Sequence, residues 1–161
     1  MYQERWTEKC ATETGEPETR GRTPVTDSTD PPIHPVRAIF RRAATTYNAH
    51  LVESDDFCVL LATGNATTDL TAVILPGTTL LSVSGITWSE YDWEPGDENE
   101  LAQLEEDIAA VQRGDGALYF RARDGELEYT GGRIGHRGIN PPFNPDKALH
   151  RTFTPWEQRP A

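Results

Sequence analysis

The sequence predicts an α+β domain in which a small antiparallel sheet packs against two helices, in the order α-β-β-β-α-β-β. Three observations lead to this prediction. Two stretches carry apolar residues at helical spacing, and several short apolar runs are typical of strands. The links between the first three of these runs are too short for the crossovers of a parallel sheet. Antiparallel pairing with helices packed on the sheet is therefore expected.

The first helix is predicted to begin at Pro35, because proline suits the first turn of a helix. Arg37, Arg41 and Arg42 fall largely opposite its apolar stripe, and we interpret them as a solvated face that pairs with acidic residues downstream. A patch for phosphate or an acidic partner is the alternative. The apolar stripe consists of Val36, Ile39, Phe40, Ala43, Ala44 and Tyr47.

Five strands are expected around the second helix. The residues Asp124 and Gly125 between two alternating runs are the strongest short-range hairpin signal in the chain. Apolar residues on both parities of the first run favour a central strand that is covered on both faces. The predicted strands are Phe57–Thr63, Leu70–Leu75, Leu80–Ser84, Ala117–Arg123 and Glu126–Thr130.

The second helix has the clearest start and stop signals. Asp97 is predicted as its N-cap, with Glu100 three positions later in an aspartate variant of the capping box. Gly114 is expected to end the helix. Between them, a buried stripe is formed by Leu101, Leu104, Ile108 and Val111.

The domain organisation follows from where apolar residues are scarce. Residues 1–32 are predicted to be a disordered leader, because they can bury too little to offset the entropy of ordering. Residues 33–131 are predicted to be a single α+β domain. Residues 132–161 are rich in proline and glycine and are predicted to be an irregular tail, which Phe143, Phe153 and Trp156 could clip onto the domain.

Charge is distributed unevenly along the chain. The formal net charge is -11, and the stretch from Ala43 to Gln112 holds thirteen carboxylates and neither lysine nor arginine. A surface of one sign attracts partners of the opposite sign and repels nucleic acid and anionic membranes. We therefore expect a basic protein partner, and neither direct nucleic-acid binding nor membrane association.

Aromatic and acidic residues alternate just before the second helix, and three further carboxylates lie midway along it. Aromatic residues often anchor protein interfaces, and carboxylates around them steer a basic partner. The alternative is that the tryptophans fill the domain's own core. The predicted partner-binding residues are Trp88, Glu90, Tyr91, Asp92, Trp93, Glu94, Glu105, Glu106 and Asp107.

No motif for catalysis, a metal or a cofactor is recognisable. The chain has no G-x-S-x-G and no P-loop, and its four histidines lack the close spacing of a zinc site. We predict no catalytic residue, no metal site and no cofactor. The glycine-rich segment with Arg133, His136 and Arg137 is a candidate anion-binding loop, whose backbone N–H groups could hold a phosphate.

The function favoured by these patterns is an acidic, non-enzymatic domain that docks on a basic protein, as an inhibitor, an immunity protein or a phage-encoded antagonist would. Two alternatives stay open. One is a small-molecule-binding domain or small enzyme that uses the Arg133–Arg137 loop, and the other is a structural component of a larger assembly such as a virion. No stretch resembles a signal peptide or a membrane span, so we expect a cytoplasmic location.

Overall fold

The computed structural model describes residues 33–140 and 148–158. The predicted leader at residues 1–32 lies outside these ranges, as do residues 141–147 and 159–161 of the predicted tail. Within the described residues, the chain forms two helices and two antiparallel sheets, of five and four strands. The predicted α+β class is therefore confirmed, whereas the predicted order of strands is not.

The described part of the chain contains more strands than the sequence predicts, in the order α-β-β-β-β-β-α-β-β-β-β. The elements are α1 (Pro35–Tyr47), β1 (Leu51–Glu53), β2 (Phe57–Leu60), β3 (Leu70–Leu75), β4 (Thr78–Val83), β5 (Ile86–Asp92), α2 (Asn99–Gln112), β6 (Gly116–Arg123), β7 (Glu126–Ile134), β8 (Arg137–Ile139) and β9 (Leu149–Thr152).

The first sheet is a meander in which each strand pairs with the next along the chain, in the order β1-β2-β3-β4-β5. Strand β5 is missing from the sequence prediction because a bulge breaks its alternation. Ser89 lies opposite Leu81 and Thr87 lies opposite Ser82, which leaves Trp88 with no residue opposite it. The bulge therefore changes the direction of the side chains that follow it.

The second sheet has the strand order β8-β7-β6-β9. The predicted hairpin is confirmed, because β6 pairs with β7 and the turn residues Asp124 and Gly125 have φ angles of 52° and 85°. Positive φ at both turn positions is typical of a two-residue hairpin turn. Strand β7 continues past residue 131, and β8 and β9 lie in the segment predicted to be irregular. Both are only three or four residues long, and β9 is exposed throughout, so no apolar pattern marks them.

Both helices begin near the predicted residues. Helix α1 begins at Pro35, and the N-cap residue His34 accepts a hydrogen bond from the Val36 N–H at 3.3 Å. Helix α2 begins at Asn99, with Glu98 rather than Asp97 at the N-cap position. The Asp97 carboxylate still accepts the Asn99 N–H at 3.1 Å, so it satisfies one free donor at the helix start.

The core lies between the two helices and one face of the first sheet. Helix α1 packs on β1 and β2, and α2 packs on β5 and β7. Alternate residues of β2, β3 and β4 point into this core, among them Cys58, Ala72 and Leu81, which are fully buried. Cys58 is a free cysteine, and its burial gives it the role of a small hydrophobic residue.

Residues 153–158, here called the C-terminal strap, run back across the domain. The Phe153 N–H donates to the Gly116 carbonyl at 3.0 Å, and the Trp156 N–H donates to the Gln112 carbonyl at 2.8 Å. Further along, the Glu157 carbonyl accepts from the Thr63 hydroxyl at 2.6 Å. A Cβ at Gly116 would lie 2.3 Å from the Phe153 ring, so only glycine allows this close approach. The strap thus connects the second sheet with the loop after β2.

Candidate functional site

The predicted partner-binding residues differ in burial. Three of them, Trp88, Tyr91 and Asp107, are buried, with at most 3% of each residue exposed. Trp93 is half-buried, and its ring meets the His34 ring edge-on with the centroids 4.9 Å apart. The remaining residues are exposed: Glu90, Asp92, Glu94, Glu105 and Glu106.

Asp107 is the centre of a buried carboxylate network. Its Oδ1 accepts a hydrogen bond from Gln103 Nε2 at 2.8 Å. Its Oδ2 accepts from Trp88 Nε1 at 3.0 Å, from the Tyr91 hydroxyl at 2.5 Å and from Arg137 Nη1 at 2.6 Å. The donors come from β5, α2 and β8, so the network joins both sheets to α2. These contacts give the two aromatic side chains and Asp107 a structural role.

Arg137 belongs to the same network. Its guanidinium lies 5.5 Å from the centroid of the Tyr91 ring, and its Nη2 donates to the Ser89 hydroxyl at 3.1 Å. Burial, together with the negative charge of Asp107, raises the pKa of the Tyr91 phenol. The phenol therefore stays protonated and acts as a hydrogen-bond donor to Asp107.

The candidate anion-binding loop has its positive charges already paired. Arg133 Nη1 donates to Asp115 Oδ1 at 2.8 Å and to the Gly135 carbonyl at 2.6 Å. This contact holds the pKa of the Asp115 carboxyl below its ordinary value. Arg137 is occupied by Asp107, and His136 is exposed. The chain's own carboxylates therefore compensate the charge that a bound phosphate would require.

Two of the exposed carboxylates on α2 are also paired within the chain. Glu105 lies 2.9 Å from Arg42 of α1, and Glu106 lies 2.7 Å from Arg113. The first of these pairs agrees with the interpretation of the α1 arginines as partners of acidic residues downstream. Such exposed pairs contribute little to stability, but they reduce the local negative charge.

A run of carboxylates at the end of β5 and the start of α2 stays uncompensated. Within residues 33–140 and 148–158, no lysine or arginine lies at ion-pair distance from any of them. All six are exposed. We call this group the acidic edge: Glu90, Asp92, Glu94, Asp97, Glu98 and Glu100.

An apolar surface, which the sequence patterns did not reveal, adjoins the acidic edge. It is the side of the first sheet that faces away from the helices. Phe57, Val73, Leu75 and Val52 are exposed there by 38%, 36%, 43% and 42%. Val59 and Leu80, partly exposed, lie on the same side. We call this surface the outer face: Val52, Phe57, Val59, Val73, Leu75 and Leu80.

The strand register aligns the outer face with the acidic edge. Phe57, Val73 and Leu80 form one row across β2, β3 and β4, and Glu90 of β5 ends that row. In the next row, Leu75 lies opposite Thr78, which lies opposite Asp92. Apolar rows on adjacent strands therefore end at carboxylates on the edge strand.

The outer face carries no positive charge. All five strands of the first sheet lie between Leu51 and Asp92, within the stretch that has neither lysine nor arginine. The expectation that β2 is covered on both faces is wrong, because only its inner residues Cys58 and Leu60 are buried, whereas Phe57 is exposed. An uncovered apolar surface beside unpaired carboxylates is typical of an interaction site.

Comparison of the chain with models of protein families, with curated proteins and with solved structures finds no match in any of the three. No helix in the described part of the chain is long and apolar enough to span a membrane. The same residues contain no group of three or more histidine, cysteine or acidic side chains placed to hold a metal ion.

Proposed function

We propose that this chain is an acidic, non-enzymatic binding domain that docks on a basic protein through the acidic edge. The observation that carries the proposal is the set of six exposed carboxylates without an ion-pair partner among the described residues. Carboxylates that lie together at the end of β5 and the start of α2 repel each other in the free protein. A cationic partner would relieve that repulsion and would be steered toward the edge during association.

The arrangement of the arginines supports this proposal. Those of α1 pair with carboxylates away from the acidic edge: Arg37 with Asp55, Arg41 with Glu53 and Arg42 with Glu105. The positive charge of α1 therefore compensates other acidic residues. Among the described residues no base pairs with the edge, and its negative charge disfavours nucleic acid as a ligand and favours a basic protein.

Proteins that block a nucleic-acid-binding enzyme need such a surface, because the basic groove of the enzyme is the target. We therefore place the chain with inhibitors, immunity proteins and phage-encoded antagonists, and expect it to act in the cytoplasm. The partner would carry lysine and arginine side chains on the contacting surface.

The test compares two triple variants that remove the same charge. In the edge variant, Glu90→Gln, Asp92→Asn and Glu94→Gln neutralise part of the acidic edge. In the control variant, Asp56→Asn, Asp124→Asn and Glu126→Gln neutralise exposed carboxylates elsewhere. Each immobilised protein captures binding partners from a lysate of the organism that encodes the chain, at low and at high salt.

We expect the wild type and the control variant to retain the same basic protein at low salt, and the edge variant to lose it. High salt should release the partner, since exposed charges are screened over about 3 Å at 1 M. With the purified partner, the association rate should fall by about tenfold or more in the edge variant. Equal retention by both variants, or no retained protein at either salt, would contradict the proposal.

A further inference from the structure

The outer face and the acidic edge form one continuous surface, since Glu90 and Asp92 end rows of apolar side chains. We infer that the outer face binds an amphipathic helix of the partner, with lysine or arginine beside its apolar side. This inference rests on the proposed function and names the part of the basic protein that makes the contact.

The size of the outer face suits one helix. Phe57, Val73 and Leu80 lie on three adjacent strands, and neighbouring strands are about 4.8 Å apart, so the row extends about 10 Å. Val59 and Val52 lie in a parallel row two residues further along the strands, about 7 Å away. An α-helix with its side chains is about 10 Å wide. A single helix could therefore cover both rows.

Backbone hydrogen bonding favours a helix over an extended segment. The outer face presents side chains, and the backbones of β2, β3 and β4 already pair with a strand on each side. An occupant would find no backbone partners on this face and would have to satisfy its own N–H and C=O groups. An α-helix does so internally, whereas an isolated strand does not.

Charge selects a basic helix and disfavours a second copy of this chain. Burial of Phe57, Val73 and Leu75 would supply affinity, and Glu90 and Asp92 would pair with cations beside the apolar stripe. A second copy would bring its own outer face, which has neither lysine nor arginine, onto the same carboxylates. The net charge of -11 on each chain would add long-range repulsion.

The experiment uses the full chain and three fluorescent peptides of about 18 residues, or five helical turns. The first is a helix with a leucine stripe flanked by lysine, and the second has the same stripe flanked by glutamate. The third keeps the lysines but replaces the stripe with serine. Fluorescence anisotropy at about 0.15 M salt measures binding under moderate screening. We expect measurable binding of the lysine-flanked leucine peptide alone.

A face variant tests the apolar contact. It carries Phe57→Thr, Val73→Thr and Leu75→Thr, because threonine is β-branched and keeps the preference for a strand. We expect its affinity for the first peptide to fall by about tenfold or more. The matched control is Leu127→Thr, since Leu127 is 66% exposed on the β6–β7 hairpin, away from the outer face. Its affinity should equal that of the wild type.

A charge variant tests the second half of the contact. Glu90→Gln with Asp92→Asn should weaken binding of the lysine-flanked peptide and reduce the discrimination against the glutamate-flanked peptide. Asp124→Asn with Glu126→Gln removes the same charge from the hairpin and should have little effect, because these groups lie on the other sheet. Equal effects of the two charge variants would overturn the inference.

Three further outcomes would overturn the inference. The first is that the wild type fails to bind the first peptide, and the second is that the face variant binds it as tightly as the wild type does. The third is a dimer of the chain, seen in sedimentation, that the face variant abolishes. If the edge variant loses the captured protein while the face variant retains it, the proposed function stands. The inference that the outer face binds an amphipathic helix then fails. If the edge variant changes neither capture nor peptide binding, the proposed function fails as well.

Discussion

A buried carboxylate is costly unless hydrogen-bond donors surround it, and Asp107 is fully surrounded. Asp107 is 2% exposed, and four side chains donate hydrogen bonds to its carboxylate. Arg137 also supplies the opposite charge, and the guanidinium keeps partial contact with solvent because its side chain is 35% exposed. Asp107 therefore fixes the relative positions of α2 and the two sheets through specific polar contacts.

We expect Asp107→Asn to lower the free energy of unfolding by about 3 kcal/mol, at the lower end for a broken buried ion pair because Arg137 is partly solvated. The amide removes the negative charge and turns one acceptor oxygen into a donor that faces other donors. Urea unfolding followed by tryptophan fluorescence measures the change. Glu106→Gln is the matched control, because its ion pair with Arg113 is exposed and should contribute less than about 1 kcal/mol. Equal losses in the two variants would contradict the role assigned to Asp107.

The roles of single residues were the hardest feature to predict from the sequence. The prediction places Asp107 with Glu105 and Glu106 among the partner-binding residues. Its spacing instead fits a buried stripe at i, i+3, i+4 and i+7, formed by Leu104, Asp107, Ile108 and Val111. That spacing could have indicated burial. No comparable signal exists for Tyr91, because the strand bulge that turns it inward depends on pairing with β4.

At the scale of elements, strand β5 contributes both to the core and to the acidic edge. Trp88 and Tyr91 face the core, while Glu90 and Asp92 belong to the acidic edge. Both helices were predicted because long stripes and breaking residues mark them. The strands β1, β8 and β9 were not, because three or four residues show no period. The exposed outer face was also missed. A strand with apolar residues at odd and even positions has the same sequence pattern whether its second face is covered or exposed.

The start of α1 predicts a pH dependence of stability. His34 Nδ1 accepts the Val36 N–H, and burial, followed by the charge of Arg37, lowers the pKa of His34 from its ordinary value of 6.5. Protonation would remove the acceptor and place a positive charge at the positive end of the helix. This contribution to stability is therefore fully present above pH 6.5 and declines as the pH falls through that value toward the lowered pKa.

Replacement of His34 by asparagine, a good N-cap residue, should remove this part of the pH dependence. Between about pH 7 and about pH 5, we expect the free energy of unfolding to fall more steeply in the wild type than in His34→Asn. Urea unfolding at several pH values measures both slopes. Carboxyls with lowered pKa values, such as Glu53 and Asp115, contribute equally to the pH dependence of stability in the wild type and in His34→Asn. Parallel curves would show that His34 is not the group responsible.

At the scale of the whole molecule, the C-terminal strap completes the core. Phe153 and Trp156 are 5% and 4% exposed, and the Trp156 ring meets the Tyr47 ring of α1 edge-on at 6.0 Å. The sequence indicated that these aromatics could clip the tail onto the domain. The sequence could not indicate the path of the strap across the domain. That path depends on contacts with Gly116 and Thr63, which are far from the strap along the chain.

We expect Trp156→Ala to lower the free energy of unfolding by about 3–5 kcal/mol, the usual cost of deleting a large buried side chain. Thermal and urea unfolding measure the loss. Phe57→Ala is the control, because its ring is partly exposed on the outer face and should contribute less than about 2 kcal/mol. A loss at Trp156 no larger than that at Phe57 would mean that the strap is dispensable for stability.

The hydrogen bond from Thr63 to Glu157 joins residues 94 positions apart, which has a consequence for the order of folding. The first sheet pairs neighbouring strands and can form early, whereas contacts this distant form slowly. At a synthesis rate of about 5–20 residues per second, the ribosome needs about 5–20 s to add the intervening chain. During that interval the nascent sheet exposes apolar side chains with no strap to cover the core. Its uncompensated carboxylates would then keep neighbouring nascent chains apart and limit aggregation.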